Sequence, residues 1–391
     1  MYLCVHVQSC CDFHLYINSM KTYILLIISF TFCFLDKVVS DPSLHPYEAI
    51  FNFGDSLSDT GNLLASGSIS FPVIGKLPYG ETFFRRATGR CSDGRLMIDF
   101  IAEAYGLPYL PPYLALTKGQ DIHHGVNFAV AGATALDAEF FSKAGLGKLL
   151  WTNHSLNVQL GWFKKLKPSL CTTKQDCDSY FKKSLFLVGE IGGNDYNYAA
   201  LAGNITQLQA NVQPVVETIK NAITELIAEG AGELLVPGNL PVGCSALYLT
   251  LFRSKNKEDY DQNGCLKVFN GFAEYHNKEL NLALETLRQK NPHVRIMYAD
   301  YYGAAKLFFH SPRHHGFTMA LSACCGGGGP FNFNSSARCG HTDAKTCGDP
   351  SKYTNWDGIH LTEAAYRHIA KGLINGPFSN PPLKPSSTKI A

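Results

Sequence analysis

The chain has 391 residues, 46% of them hydrophobic and 17% charged, with a formal net charge of +2. That length and composition suit a globular protein with a sizeable core, most simply one large domain. A net charge so near zero supplies no basic field to hold a polyanion, so nucleic acid is excluded as an expected partner.

The first 40 residues read as a leader. Lys21 precedes an apolar run over 23–35, and small or polar residues follow around Ser40. This run has the length of a secretory h-region and is too short to span a bilayer comfortably, so no stable membrane span is expected in the mature protein; a membrane anchor through the same run is the rival reading. The residues before Met20 fit a signal poorly, which makes Met20 a candidate start. Four of the 13 cysteines fall in the leader, and the remaining nine suit an oxidising compartment with several disulfides and one thiol left over. Sequons at Asn153, Asn204 and Asn334 allow N-glycosylation and agree with export.

Beyond the leader, one domain over about 43–377 is expected, then a proline-rich tail over 378–391 that reads as disordered. Candidate strands lie at 49–53, near 126–128, and at 185–188, 233–236 and 294–299. Helix-period stripes lie between them. Leu96, Met97, Phe100, Ile101 and Ala104 form one, after the candidate caps Ser92 and Asp93. Val212, Val215, Val216, Ile219, Ile223, Leu226 and Ile227 form a second, and Phe269, Phe272, Ala273, His276, Leu280, Ala283 and Leu287 a third. Such alternation predicts an α/β protein: a three-layer α/β/α fold around a mostly parallel sheet of about five strands. In sheets of this kind the ligand lies beyond the carboxyl ends of the strands.

Four chemistry-bearing blocks fall where that rule puts them. The first strand runs into Phe53-Gly54-Asp55-Ser56-Leu57-Ser58-Asp59-Thr60-Gly61-Asn62. Ser56 is placed to be a nucleophile, which needs a neighbouring base because a serine hydroxyl is weakly nucleophilic at neutral pH. The turn lacks the Gly-x-Ser-x-Gly elbow, and alone it is an ordinary turn; Asp59 and Asn62 are expected to stabilise it. Near the other end, Trp356-Asp357-Gly358-Ile359-His360 sets an acid three residues before a histidine. On one loop, Asp357 would accept the Nδ1 proton of His360 and leave Nε2 facing Ser56. Asp55 adjoins Ser56, but Asp357 has the better spacing to orient His360. Two glycine-rich blocks, Asn127-Phe128-Ala129-Val130-Ala131-Gly132-Ala133-Thr134 and Leu187-Val188-Gly189-Glu190-Ile191-Gly192-Gly193-Asn194-Asp195, follow strands. Gly132 could bring a backbone N–H to an oxyanion, and Asn194 a side-chain amide; the plain alternative for each is a turn.

In this order, the four blocks resemble the GDSL or SGNH hydrolases, specifically the plant GDSL esterase/lipases, over about 50–371. The family's invariant Ser, Gly, Asn and His match Ser56, Gly132, Asn194 and His360, and its acid matches Asp357. Within the family, Pro78-Tyr79-Gly80-Glu81-Thr82-Phe83, Gly89-Arg90-Cys91-Ser92-Asp93-Gly94-Arg95, the run from Gly189 to Asn197, and Cys324-Cys325-Gly326-Gly327-Gly328-Gly329-Pro330 look closest to the subgroup that includes acetylajmalan esterase and sinapine esterase. Leu361 departs from the family pattern, where proline is frequent.

The resemblance implies a secreted carboxylester hydrolase with a Ser56–His360–Asp357 triad and an oxyanion hole from the N–H groups of Ser56 and Gly132 and the Asn194 amide. Its partner would be a small specialised-metabolite ester, with an acetyl or aromatic acyl group, and no cofactor or metal is required. Acyl transfer through the same acyl-enzyme and a non-catalytic secreted binding protein are the rivals. Candidate disulfides are Cys171–Cys177 and Cys244–Cys265. Cys324, Cys325, Cys339, His341 and Cys347 could suggest zinc, although disulfides suit an exported chain better. The Gly326–Gly329 run lacks the Lys-Ser/Thr of a phosphate loop. His276 is expected to be a packed core histidine, and Arg85 and Arg86 to be solvated.

Overall fold

A computed structural model describes residues 46–204 and 207–385. The expected leader lies outside the described residues, as does the tail from 386 onward.

Five parallel strands form the centre: β1 (Ala49–Phe53), β2 (Gly125–Asn127), β3 (Ser184–Val188), β4 (Glu233–Pro237) and β5 (Arg295–Ala299). All five residues of β1, Ala-Ile-Phe-Asn-Phe, are buried, the pattern of a strand covered on both faces. Successive side chains enter opposite cores. Phe51, Phe53, Phe186, Leu234 and Ile296 join one cluster, while Ile50, Leu185, Leu187, Leu235 and Met297 join the other.

The helices named here, α1 (Met97–Ala104), α2 (Leu156–Leu166), α3 (Lys174–Lys182), α4 (Gly193–Leu201), α5 (Val212–Ala228), α6 (Lys267–Lys290), α7 (Tyr301–His310) and α8 (Glu363–Asn375), divide between these cores. Apolar residues of α2–α6 meet the first, and those of α1, α7 and α8 meet the second. The stripe on α5 is buried from Val212 to Leu226, leaving Ile227 partly exposed. Phe51 shows what the first core holds. Its ring lies 5.6 Å from Phe163 edge-on and 5.2 Å from Phe186. Truncating such a buried aromatic residue typically costs about 3–5 kcal/mol.

Smaller strands lie outside the main sheet. β6 (Met319–Ala323) pairs with β9 (Tyr353–Asn355), and β7 (Cys325–Gly326) with β8 (Lys345–Thr346). A sixth strand, β10 (Ser379–Asn380), adds to the main sheet antiparallel to β5. The domain boundary expected at 377 is therefore too early. Beyond it, Ser379 and Asn380 pair with Ala299 and Tyr298, and Leu383 is buried in the second core. A two-residue strand among prolines has no periodicity to reveal it.

One expected helix cap is also corrected. Helix α1 is capped by Asp99, whose carboxylate accepts the Leu96 N–H at 2.8 Å, rather than by Ser92 or Asp93. Asp99 is held in turn by both forks of Arg90, at 2.7 and 2.8 Å. Ser92 and Asp93 reach instead to the residues following His360.

Cys171 pairs with Cys177, Cys244 with Cys265, Cys324 with Cys347 and Cys325 with Cys339. Four of the five residues that could suggest zinc are thus consumed in disulfides. Cys91 is left as a buried thiol. Among the described residues, no helix is long and apolar enough to cross a membrane.

Candidate active site

The sheet runs in the order β10-β5-β4-β3-β1-β2. From β1 the chain goes out to β2 on one side and returns to β3 on the other. β1 and β3 therefore flank the switch point, where a crevice opens beyond their carboxyl ends. Ser56 follows β1, and Glu190 and Asn194 follow β3. Both segments line one cleft, and His360 lines it too.

The turn carrying Ser56 is pinned from several sides. Gly54 has φ 148°, and a Cβ there would lie 2.8 Å from the Glu190 carbonyl, so only glycine fits at this close approach. Gln159 on α2 clamps Gly54 at both backbone groups, accepting from its N–H and donating to its C=O, each at 2.8 Å. Asp59 accepts four backbone N–H groups, from Gly61, Asn62, Leu63 and, in the block after β2, Ala131. Asn62 donates to the carbonyls of Asn127 and Ala129, each at 2.8 Å. Asp59 and Asn62 therefore stabilise the turn as expected and also tie it to the Gly132 block.

Gly132 has φ 81°, and a Cβ there would meet Trp151 at 2.6 Å. Its carbonyl accepts from Tyr198 at 3.0 Å. Asp195 fastens this block to α4 by accepting the N–H groups of Ala135 and Leu136 at 2.8 and 3.0 Å; burial pushes its carboxyl up to about 7. Asn194 sits in the first turn of α4. Its amide donates to Asp55 at 3.1 Å and to the Ala133 carbonyl at 3.0 Å.

His360 and Asp357 meet as their spacing suggested. The imidazole Nδ1 lies 2.7 Å from Asp357 Oδ2. The other carboxylate oxygen accepts the N–H groups of His360 and Ile359 at 2.9 and 3.0 Å. Burial alone pulls the imidazole pKa down, but the Asp357 charge and hydrogen bond, with the neighbouring Cys91 thiol, hold it well above its ordinary value. Burial likewise pushes Asp357 up, and His360 with the two N–H groups brings it below the usual carboxylate value.

The segment that braces this loop carries no catalytic motif in the sequence. Tyr79 donates to Asp357 Oδ2 at 2.8 Å. Ser92 donates to the Leu361 carbonyl at 3.1 Å, and Asp93 accepts the Glu363 N–H at 2.8 Å. Arg95 pairs with Glu363 at 2.8 Å. The only hint was that Pro78–Phe83 and Gly89–Arg95 resemble family blocks without carrying obvious chemistry. Leu361, where proline is frequent, uses the N–H a proline would lack: it donates to Tyr366 at 3.2 Å.

The cleft walls are mostly apolar, with Trp151, Leu201, Leu240, Leu247 and Ile359 among them. Trp151 stacks on Phe71 at 4.6 Å, and Phe71 lies 6.3 Å from the His360 ring. Polar features are sparse, as in a pocket that orients a small molecule. Tyr248 donates to Asn197 at 2.7 Å.

Other residues singled out in the sequence stand apart from the cleft. His276 is buried on α6 beside Tyr196, whose hydroxyl is 2.7 Å from its Nδ1, and burial lowers its pKa to about 4. Arg85 and Arg86 are exposed, as are Asn153 and Asn334, while Asn204 is half-buried.

A hydroxyl at a strand end, an imidazole held by a carboxylate, and the Asn194 amide on one apolar cleft make an arrangement suited to acyl chemistry; Gly132 is not in the lining but sits behind Trp151, which is. The comparisons agree. Residues 50–373 match the family described as GDSL-like Lipase/Acylhydrolase, and the chain belongs to that family, as a carboxylic ester hydrolase. It is similar to the GDSL esterase/lipase At5g45910 of Arabidopsis thaliana, 54% identical across 93% of this chain and 99% of the relative. GDSL esterase/lipase At1g28600 of the same plant is 48% identical across 92% of each chain. Sinapine esterase of Brassica napus is 45% identical across 93% of this chain and 94% of the relative.

Proposed function

We propose that this hydrolase works through an acyl-enzyme on Ser56. His360 removes the Ser56 proton as the hydroxyl attacks an ester carbonyl, and Asp357 fixes the tautomer and stabilises the imidazolium. The tetrahedral oxyanion is received by the N–H groups of Ser56 and Gly132 and by the Asn194 amide. His360 then protonates the leaving alcohol, and water cleaves the acyl-enzyme by the same route. The observation that carries this reading is the 2.7 Å Asp357–His360 contact on a cleft also lined by Ser56. Among the described residues, the backbone N–H groups of Ser56 and Gly132 have no hydrogen-bond partner, as donors reserved for an oxyanion should.

The substrate is a small ester with an acetyl or aromatic acyl group rather than a long-chain lipid. Support comes from the apolar, Trp151-lined cleft and from similarity to a protein named for sinapine. Secretion is supported by the leader-like N-terminus and sequons and by the four disulfides.

Labelling the purified protein with a fluorophosphonate and mapping the modified peptide tests the proposal. A single adduct on Ser56 with loss of esterase activity is expected. Full labelling at another residue, with Ser56 unmodified, would contradict it.

A further inference from the structure

Asn194 is not idle in the resting site. Both hydrogens of its amide are engaged, one by the Ala133 carbonyl and one by Asp55 Oδ2, and its carbonyl accepts from Asn197 at 3.4 Å. To serve an oxyanion, the amide must loosen its hold on one acceptor. Ala133 is part of the backbone, so Asp55 is the adjustable partner.

Asp55 is itself held by a second carboxyl. Its Oδ1 accepts the Leu57 N–H at 3.0 Å, its backbone N–H donates to the Glu190 carbonyl at 3.0 Å, and its side chain hydrogen-bonds the Glu190 side chain. Two carboxyl groups in hydrogen-bond contact must share a proton. Both lie at Gly193, where a Cβ would come within 3.0 Å of Glu190 Oε1 and 3.9 Å of Asp55 Oδ2.

We propose that Glu190 is a positioning residue: in its protonated form it donates to Asp55, satisfies that carboxylate, and so frees the Asn194 amide for the oxyanion. This rests on the proposed oxyanion role of Asn194. No bond is made or broken; the proton stays on the pair through the cycle. Without the donor, a buried Asp55 carboxylate would hold the amide more tightly beside the developing negative charge. Loss of the shared proton would add a second negative charge at the same place.

Asp55 accepts the Leu57 N–H and the Asn194 amide, as an ionised carboxylate would, which leaves the shared proton to Glu190; burial raises both carboxyls. Several groups face the pair. His360 favours ionisation of both, while Asp59 opposes it in Asp55 and Asp195 opposes it in Glu190. The hydroxyls of Tyr196 and Tyr198 on α4, Tyr301 on α7 and Tyr366 on α8 sense one or both carboxylates. Because His360 and Asp195 also titrate nearby, the informative quantity is the difference between the wild type and a Glu190 variant.

The test is kcat and KM against pH for the wild type, Glu190→Gln and Glu190→Ala, with melting temperature as a folding control. Glu190→Ala should lower kcat at least about tenfold with little change in KM, short of the roughly 10²–10³ typical of deleting an oxyanion donor itself. Glu190→Gln, whose amide still donates to Asp55, should recover most of that loss and lack the wild type's alkaline fall in kcat. Unchanged kcat in both variants, failure of Gln to restore what Ala loses, or an identical alkaline limb in Glu190→Gln would each overturn the inference. If Glu190→Ala does not fold, the Glu190→Gln profile decides alone. Ser56→Ala run alongside separates the two levels: a dead Ser56→Ala with wild-type Glu190 variants sinks only the positioning role, whereas an active Ser56→Ala sinks the acyl-enzyme reading beneath it.

Discussion

The two halves of the site are held in different ways. The Ser56 and Asn194 side rests on backbone register: β1 and β3 pair residue for residue from Ala49↔Ser184 to Phe53↔Val188, so the two turns beyond them emerge level. The Asp357–His360 side is a loop between the short strand β9 and helix α8, held by side chains about 270 residues away, as when Asp93 accepts the Glu363 N–H. Local sequence therefore marks where the first half falls, and Gln159 and Asn62 then clamp its turn. The second depends on a remote brace of Tyr79, Ser92, Asp93 and Arg95. Substitutions at strand ends should act on chemistry, whereas substitutions in the brace should act on the orientation and proton affinity of His360.

The largest effect expected is on the strand-end side. Ser56→Ala should abolish turnover while leaving the melting curve unchanged, because the hydroxyl is not needed for packing; turnover near that of the wild type in a contaminant-free preparation would remove Ser56 from the mechanism. Asn194→Ala should cost on the order of 10²–10³ in kcat, or roughly 3–4 kcal/mol, with KM much less affected. If it keeps kcat but melts several degrees lower, Asn194 is only a turn-forming residue.

On the loop side the distinguishing measurement is the acidic limb of kcat/KM. His360 must be neutral to accept a proton, and its raised pKa places that limb above about 6.5, the ordinary histidine value. Asp357→Asn should lower kcat and move the limb down. Tyr79→Phe should move it slightly up, because a carboxylate relieved of one donor holds the imidazolium more strongly, with kcat reduced only a few-fold because Tyr79 touches Asp357 and not the reacting atoms. Limbs that move in the same direction in both variants would show that Tyr79 does not act through Asp357.

The same pair affects stability with opposite signs. Asp357 is depressed, so its contribution is present above the ordinary carboxylate pKa and lost as pH falls through its folded value. His360 is raised, so its contribution is full below the ordinary histidine pKa and lost as pH rises through its folded value. The pair is therefore most stabilising between about 4 and about 6.5, where His360 is protonated and unable to act as base. Asp357→Asn should lower the melting temperature more within that window than at alkaline pH.

The smallest effects on activity belong to the disulfides. Cys244–Cys265 closes a separation of 21 residues and Cys171–Cys177 one of 6, for which chain entropy gives about 3 and about 2 kcal/mol. Replacing each pair by alanine should rank the losses in that order with kcat little changed; the reverse ranking would mean that local packing outweighs loop entropy.

The same contrast explains what was legible in the sequence. The five parallel strands stood out as short apolar runs, and Ser56, Gly132 and Asn194 each followed one. Asp357 and His360 were visible because they lie three residues apart. The strand β10 was not visible, since two residues among prolines have no period. Ser92 and Asp93 looked like helix caps because Ser and Asp commonly cap helices, yet they bind residues near position 360 that only the fold brings close. Glu190 sat in plain view within Leu187–Asp195, but a carboxyl partner for Asp55 is a contact between two strand ends, and one sequence carries no record of such a pair.

The claim that both halves form one catalytic unit is tested most directly by a double-mutant comparison of Ser56→Ala, His360→Ala and the two combined, measured as kcat above the uncatalysed rate. Groups acting as a unit lose on the order of 10⁶ when either is removed and almost nothing more when both are. This site should behave that way, with the double variant no slower than the slower single one. Losses that multiply would contradict the account, because they would mean that the serine at the strand end and the histidine on the braced loop serve separate steps.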